Sequence, residues 1–450
     1  MDLKEIHNVY FIGIGGIGMS ALARYFKFLK KNVAGYDKTK TPLTEELSEL
    51  GIAIHYHDDV KAIDDRFLDA RNTLVVYTPA VPGNHSEYRY FLGHGFGVLK
   101  RSEVLGLITK DTFCLAVAGT HGKTTTSSIL AHLLNETGTP FTAFLGGISE
   151  DFNSNFLYKG SKYSVVEADE FDRSFLRLHP DVACITSMDA DHLDIYGTKD
   201  ELIKSFGEFA DKVAPEGKLF VRKGLPIKGI TYGIEDDSDF CIQNLRIQKG
   251  TYVFDLVTPG RTMAKVRFNK PGKHNLLNGL VAFAMALEVG ASPDLLVKAL
   301  ETFKGVQRRF SYKIKGEDFV FIDDYAHHPT EINAVYQAIT EMHPNKGVLA
   351  VFQPHLFSRT RDFADAFAES LSKFQSVLLL DIYPAREEPI PGITASWLLD
   401  KIAGPKKKLV SKDDLLEEIK SQSPDILVTM GAGDIGLEVS KIQNGYEHAH

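Results

Sequence analysis

Directly after the apolar stretch Phe113 to Val117 comes the run Gly119-Thr120-His121-Gly122-Lys123-Thr124-Thr125. Glycines let a backbone curl until successive N–H groups converge on phosphate oxygens, while Lys123 supplies a point charge and Thr124 a hydroxyl suited to magnesium. A helix expected from Thr124 to Leu134 adds the positive end of its dipole. The leading glycine of the usual phosphate-loop pattern is replaced by Val117, so a tight strand-to-helix turn with an incidental lysine is the competing reading. The flanking strand and helix fall where the mechanism requires them, which predicts ATP as the bound nucleotide.

Two acidic clusters follow strand candidates. Tyr163 to Val166 leads into Glu167-Ala168-Asp169-Glu170, and Val182 to Thr186 leads into Asp189-Ala190-Asp191-His192-Leu193-Asp194. The carboxyl ends of parallel strands share one sheet edge, so both clusters are expected beside the phosphate loop, where hard oxygen ligands suit magnesium. A third acidic turn, Asp323-Asp324-Tyr325-Ala326-His327-His328-Pro329-Thr330-Glu331, runs into a helix that Pro329 can start. Adjacent His327 and His328 are poorly placed to share one zinc, so substrate contact is their expected role.

Two further glycine runs fit the dinucleotide pattern. Gly13-Ile14-Gly15-Gly16-Ile17-Gly18 follows an apolar strand and is paired with Asp37 at the end of the next strand, where a ribose hydroxyl would sit. Any pyrophosphate can use such a turn, so cofactor identity stays open. Gly431-Ala432-Gly433-Asp434-Ile435-Gly436 follows the last strand and is expected to be a packing turn, because three dinucleotide sites in one chain are improbable.

These residues need sheets to hold them. Strands at Val9 to Ile12, Asn32 to Tyr36, Leu74 to Tyr77 and Phe96 to Leu99, with a helix from Met19 to Leu29, predict a parallel sheet covered by helices up to about Leu107. A new core starts at Phe113. Alternating segments between Phe240 and Val266, broken by Lys249-Gly250 and Pro259-Gly260, predict an antiparallel insert. Strands at Phe319 to Ile322, Val348 to Phe352, Val377 to Leu380 and Ile426 to Thr429 predict a third sheet, and Lys406-Lys407-Lys408 reads as a solvated turn. The fold class is therefore α/β in three domains: a Rossmann-like domain over 1–107, a central phosphate-loop ATPase domain with a mixed sheet over 108–312, and a C-terminal Rossmann-like domain over 313–450.

At 450 residues and 44% hydrophobic content the chain can bury several cores, and a net charge of -8 supplies no field for nucleic acid or an anionic membrane. Neither an opening secretion signal nor an uninterrupted membrane-length apolar run is present, so a cytoplasmic location is expected. Cys114, Cys184 and Cys241 are far apart and read as buried thiols.

Taken together, the phosphate loop, Glu167-Ala168-Asp169-Glu170, Asp191-His192-Leu193-Asp194, Lys273-His274-Asn275-Leu276-Leu277-Asn278, Arg308-Arg309-Phe310 and the Asp323 to Thr330 turn resemble the Mur ligases of peptidoglycan synthesis, in order and spacing over nearly the whole chain. Within that family the Gly13 to Ser20 loop and Gln353-Pro354-His355 through Arg361 are similar to the members that add a single amino acid. The resemblance implies ATP and Mg2+ as cofactors, UDP-N-acetylmuramic acid and L-alanine as substrates, and a monomer or homodimer. It implies that Gly119, Thr120, His121, Gly122, Lys123, Thr124 and Thr125 hold phosphates, and that Thr124, Glu167 and His192 are metal ligands. Asn275, Asn278, Arg309 and Asp324 fall on the nucleotide side. Gly15, Gly16, Ile17, Gly18 and Asp37 would bind the UDP-sugar, with Tyr325, His327, His328, His355 and Arg359 around the amino acid and the muramyl carboxylate. Leu356 stands where relatives often carry arginine, and no counterpart of the modified lysine of several sister ligases is found.

Lys123, Glu167, His192 and Arg309 are the expected catalytic groups, and Lys123→Ala is expected to abolish turnover with the fold intact. Three rival readings are an enzyme that attaches a preformed murein tripeptide to the same sugar nucleotide, an NAD-dependent oxidoreductase, and a nucleotide-dependent binding or regulatory protein without catalysis, which is disfavoured because no candidate catalytic position is replaced by an inert residue. The second explains Gly13 to Gly18 and Asp37 but gives Lys123 and the acidic clusters no purpose.

Overall fold

Three open sheets carry the chain. The computed structural model describes residues 3–189, 196, 198–248, 250–385 and 387–447. The first sheet contains β1 (Asn8–Ile12), β2 (Asn32–Tyr36), β3 (Ala53–His55), β4 (Thr73–Tyr77) and β5 (Gly97–Lys100) in the order β3-β2-β1-β4-β5. All its neighbours run parallel. That order is the Rossmann arrangement, with its switch point at β1, beside the Gly13 turn.

The second sheet has ten strands: β6 (Phe113–Ala118), β7 (Phe141–Ser149), β8 (Ser154–Tyr158), β9 (Tyr163–Ala168), β10 (Val182–Ile185), β11 (Lys218–Arg222), β12 (Ile230–Ile234), β13 (Phe240–Gln248), β14 (Thr251–Thr258) and β15 (Arg261–Phe268). Their order is β15-β14-β13-β12-β11-β10-β6-β9-β7-β8. It is mixed: β6 is parallel to both β9 and β10, whereas β7 and β8 are antiparallel. β13, β14 and β15 are neighbours joined by connections too short for a crossover, so they run antiparallel as expected, while the parallel pairing of β13 with β12 joins them to the central sheet.

The third sheet holds β16 (Ser311–Lys315), β17 (Val320–Asp324), β18 (Val348–Phe352), β19 (Ser376–Leu379), β20 (Lys406–Leu409) and β21 (Ile426–Met430) in the order β16-β17-β21-β18-β19-β20. Only β16 is antiparallel to its neighbour. The lysine run is therefore an edge strand and not a turn: Lys406, Lys407 and Lys408 pair with Ser376, Val377 and Leu378 of β19. Charged side chains on an edge strand discourage pairing with another chain.

The sheets fall into two compact units. One comprises Met1–Arg246, Val253–Phe268 and Leu277–Lys304; the other comprises Ile247–Tyr252, Asn269–Leu276 and Gly305–His450. In unit one a single apolar cluster runs from Val9, Phe11, Leu74 and Val76 of the first sheet through helix Ile17–Phe28 to Ala116, Phe144, Val166 and Ile185 of the second. Rings tie it together, with Tyr25 at 5.4 Å from Phe144 and Phe28 at 4.2 Å from Tyr158. In unit two, separate clusters cover the two faces of the third sheet. The three cysteines are free and buried, and no described helix is long and apolar enough to cross a membrane.

Candidate active site

The phosphate loop leaves β6 at the switch point of the second sheet, between β9 and β10. Its conformation needs both glycines: Gly119 has φ +133° and Gly122 φ +84°, in the half of φ space that side chains disfavour. Space is equally restrictive, because a Cβ on Gly119 would lie 2.1 Å from Thr186 Oγ1 and one on Gly122 would lie 2.7 Å from Asn278 Oδ1. Gly122 caps helix Lys123–Glu136, so Lys123 and Thr124 occupy its first turn.

The turn after β10 laces this loop in place. Thr120 N donates to Ser187 O at 3.1 Å, His121 N to Ser187 Oγ at 2.7 Å and Asp189 N to Thr120 Oγ1 at 3.0 Å. His121 Nε2 lies 3.3 Å from Asp189 Oδ2.

Lys123 Nζ donates to Gly119 O at 2.7 Å and to both oxygens of Glu170, at 3.0 and 2.7 Å. The Glu170 side chain is 0% exposed and that of Lys123 16%. Burial alone would lower the lysine; Glu170 and Asp169 outweigh it and hold the ammonium above its ordinary range. Glu167 sits opposite Val117 in the β6 to β9 register. Its Oε2 accepts from Thr124 Oγ1 at 3.1 Å, and its Oε1 from Ser127 Oγ at 3.0 Å and from Gly146 N at 2.6 Å. Burial pushes this carboxyl up, against the pull of the Gly146 amide and Lys123.

Thr124 and Glu167 thus bring hard oxygens together beside the phosphate loop, a donor set that fits magnesium. Among the described residues no group of three or more His, Cys, Asp or Glu side chains is clustered so as to hold a metal ion. His192 lies outside the described residues. Three contacts escaped sequence reasoning. Glu170 was read only as part of an acidic cluster, although it is the carboxylate on Lys123. Ser127 lies one turn after Thr124 on the same helix face, a spacing that could have flagged it. Gly146, inside β7, leaves room for Glu167, since its Cβ would fall 2.3 Å from Glu167 Oε2.

At the first glycine loop, Gly13 has φ +87° and Gly16 precedes helix Ile17–Phe28. Asp37 accepts from Gly15 N at 2.7 Å and from Thr39 N at 3.1 Å, so its carboxylate is braced by the loop it was expected to assist. Asn155 Nδ2 donates to Ile17 O at 2.7 Å, and the Arg101 side chain lies against Gly18. The third glycine run is a packing turn: Gly431 O accepts from Arg308 Nη2 at 2.7 Å, and a Cβ on Gly433 would fall 2.4 Å from Gln353 Oε1.

Asn278 lies in unit one against Gly122, whereas Asn275 belongs to unit two and donates its amide to Pro271 O at 2.6 Å. In unit two, Asp324 accepts from Phe310 N and from Ala326 N, each at 2.7 Å. Burial pushes its carboxyl up to about 6, against the pull of Arg309 and those two amides. Arg309 and Arg308 lie 5.0 and 5.2 Å from the Tyr325 ring centre. The chain of contacts continues: His327 Nδ1 bonds Tyr325 O at 2.9 Å, the His327 and His355 rings are 6.1 Å apart, and Arg359 Nη1 is 3.5 Å from His355 Nδ1. Tyr325, His327, His355 and Arg359 therefore converge. His328 does not join them in the open; it is buried as the cap of helix Pro329–Met342, accepting from Thr330 N at 3.3 Å. Leu356 has φ +72° and ψ 136°, a strained backbone for a side chain, and its N–H is tied to Tyr383 O at 2.9 Å.

Family models cover almost all of this architecture. The Mur ligase family, catalytic domain, matches residues 8–112; the Mur ligase middle domain matches 117–286; and the Mur ligase, glutamate ligase domain, matches 308–433. The chain belongs to the Mur ligase family. It is 60% identical over 443 residues to the UDP-N-acetylmuramate--L-alanine ligase of Flavobacterium johnsoniae, covering 98% of each chain. The protein of that name from Parabacteroides distasonis is 47% identical, again over 98% of each. Among solved structures, the UDP-N-acetylmuramate-alanine ligase MurC of Thermotoga maritima superposes with a TM-score of 0.85 at 27% identity, covering 98% of this chain and 100% of that one. A murein peptide ligase from Psychrobacter arcticus shares the fold, with a TM-score of 0.70 at 23% identity and 98% coverage of both.

Proposed function

We propose that this chain is an ATP-dependent ligase that joins L-alanine to the carboxylate of UDP-N-acetylmuramic acid, releasing ADP and phosphate, for peptidoglycan synthesis. The observation that carries the reading is the convergence of Lys123, Thr124 and Glu167 at one sheet edge in a chain 60% identical, end to end, to a ligase of that name. A carboxylate is a poor electrophile. One muramyl carboxylate oxygen forms a bond to the γ-phosphorus as the bond to the ADP oxygen breaks, giving an acyl phosphate. The amine of L-alanine attacks its carbonyl carbon, phosphate leaves, and the amine loses a proton as the amide forms.

The loop amides and Lys123 would hold the transferring phosphoryl, where charge accumulates. Thr124 and Glu167, with His192, would hold magnesium, which supplies further neutralisation of phosphate charge when bound. Asn275, Asn278, Arg309 and Asp324 would contact the nucleotide. Gly15 to Gly18 and Asp37 would receive the sugar nucleotide, and Tyr325, His327, His355 and Arg359 the amino acid, Arg359 pairing with its carboxylate. His328 would act through the helix it caps. With boundaries at 107 and 312, the first domain would take the sugar nucleotide, the second ATP and the third the amino acid, and three buried thiols suit the reducing cytoplasm.

The test is phosphate release with ATP, magnesium and UDP-N-acetylmuramic acid across a panel of single amino acids and the murein tripeptide. Dependence on both the sugar nucleotide and L-alanine is expected. Turnover only with the tripeptide would replace this assignment by the recycling reaction.

A further inference from the structure

Helix Lys123–Glu136 carries the phosphate loop at its start and a buried histidine near its end. His132 Nε2 faces two acceptors, Ala299 O and Thr302 Oγ1, each at 3.0 Å. The Thr302 hydroxyl spends its own proton on Ala299 O at 3.1 Å, so Nε2 must be the donor. On the other side of the ring, Nδ1 lies 3.3 Å from Asp151 Oδ1, with the two side chains only 5% and 6% exposed. Nδ1 therefore faces a buried carboxylate across a short gap, with Nε2 held on the other side of the ring. Asp151, in the turn between β7 and β8, also accepts Lys304 N at 3.3 and 3.2 Å. The rings of Phe152 and Phe303 flank the pair at 6.5 and 5.6 Å from His132.

Burying polar side chains away from water is costly, and replacing them by apolar ones of similar volume often stabilises a protein, so stability alone is a poor reason to build such a contact. What this pair fixes is a particular stretch of chain. Ala299, Thr302 and Lys304 are the last turn and exit of helix Pro293–Thr302, and Lys304 is the final residue of unit one. The next residues lead to Arg308 and Arg309.

We propose that the His132–Asp151 pair is a positioning element for the ligation reaction. It locks the exit of unit one to the helix bearing the phosphate loop, so that the linker toward Arg308 and Arg309 departs from a fixed point. Neither residue is among those assigned to the nucleotide or the substrates. The inference rests on the ligase reading for its kinetic arm only.

The experiment compares His132→Gln, Asp151→Asn and the double variant with wild type, all as full chains. We expect kcat to fall about five- to twentyfold with the Kd of magnesium ADP, measured by calorimetry, within about twofold of wild type. The double variant should fall no further than the worse single one, because the two residues act as a unit. Amide exchange in the peptide spanning 299–306 should quicken by about fivefold or more. A purely structural role would lower the melting temperature and leave kcat per folded molecule and the exchange of that peptide unchanged, which overturns the proposal. If the His132 variant fails to fold, Thr302→Val decides: a two- to fivefold fall in kcat, roughly, with faster exchange of the same peptide supports it, and wild-type values of both overturn it. A wild-type enzyme that does not ligate would sink the functional reading alone, since the exchange comparison still judges the anchor.

Discussion

Lys123 illustrates how a residue's surroundings change what its removal should do. From sequence, Lys123→Ala should stop turnover and spare the fold. The structure places its ammonium on both oxygens of a carboxylate that is 0% exposed, so the alanine variant strips a cation from buried Glu170. Breaking a buried pair from one side costs about 3 kcal/mol or more. We therefore expect Lys123→Ala to melt measurably lower than wild type, and Lys123→Ala with Glu170→Gln to regain most of that loss while both remain inactive. Calorimetric melting of the two variants checks this; equal melting temperatures would mean that the pair contributes nothing to unit one.

Asp324 yields a pH prediction of definite sign. Its folded value of about 6 lies above the unfolded carboxylate value of about 3.9, so the native state holds this proton more tightly. The stability it contributes is complete below the unfolded value and is lost as pH rises through about 6. Activity should move the opposite way, because the ionised form is the better acceptor for the Phe310 and Ala326 amides that set the Arg309 turn. An acid limb in kcat near pH 6 is expected. Arg309→Gln should shift the Asp324 carboxyl upward, since the guanidinium pulls it down; carbon NMR of the carboxyl measures this directly, and a downward shift would contradict the assignment.

Between elements, much of the site was legible because strand ends and turns are written locally. The glycine loop after Phe113 to Val117, the acids after Tyr163 to Val166, and the Asp323 turn all fall at carboxyl ends of strands, as their patterns require. Less legible was which acid serves which partner. Glu167 lies near the end of β9 and Glu170 just beyond it, and only the register of β9 against β6 and the course of the next turn send one to Thr124 and the other to Lys123. β20 was missed because an edge strand of lysines has no buried face to produce an alternation, and the parallel pairing of β13 with β12 was not legible because it depends on a distant neighbour. Gly146 carries the same lesson in testable form. Its backbone conformation tolerates alanine, but a Cβ would press within 2.3 Å of Glu167 Oε2. Gly146→Ala should displace that carboxylate, lower kcat by about tenfold or more and raise the magnesium concentration needed for half-maximal rate, with the melting temperature little changed. An unaltered magnesium titration would remove Glu167 from the metal site.

Three sheets need not mean three folding units. Helix Ile17–Phe28 presents Leu22 and Phe26 to the first sheet's core, while Tyr25 and Phe28 lie against Phe144, Phe156 and Tyr158 of β7 and β8. Its two faces thus belong to one apolar cluster spanning two sheets, and the first sheet alone would expose those rings to water. The third sheet has its own clusters on both faces. We therefore predict two calorimetric transitions for the whole chain, one for residues of unit one and one for the third sheet, and not three. Magnesium ADP should raise the first, by an amount equivalent to about 2.7 kcal/mol at a hundredfold excess over Kd. A fragment of residues 305–450 should melt cooperatively by itself, whereas 1–107 should not. Cooperative melting of the 1–107 fragment would mean that the aromatic seam between the first two sheets is dispensable, and with it the physical reason for treating those two sheets as one folding unit.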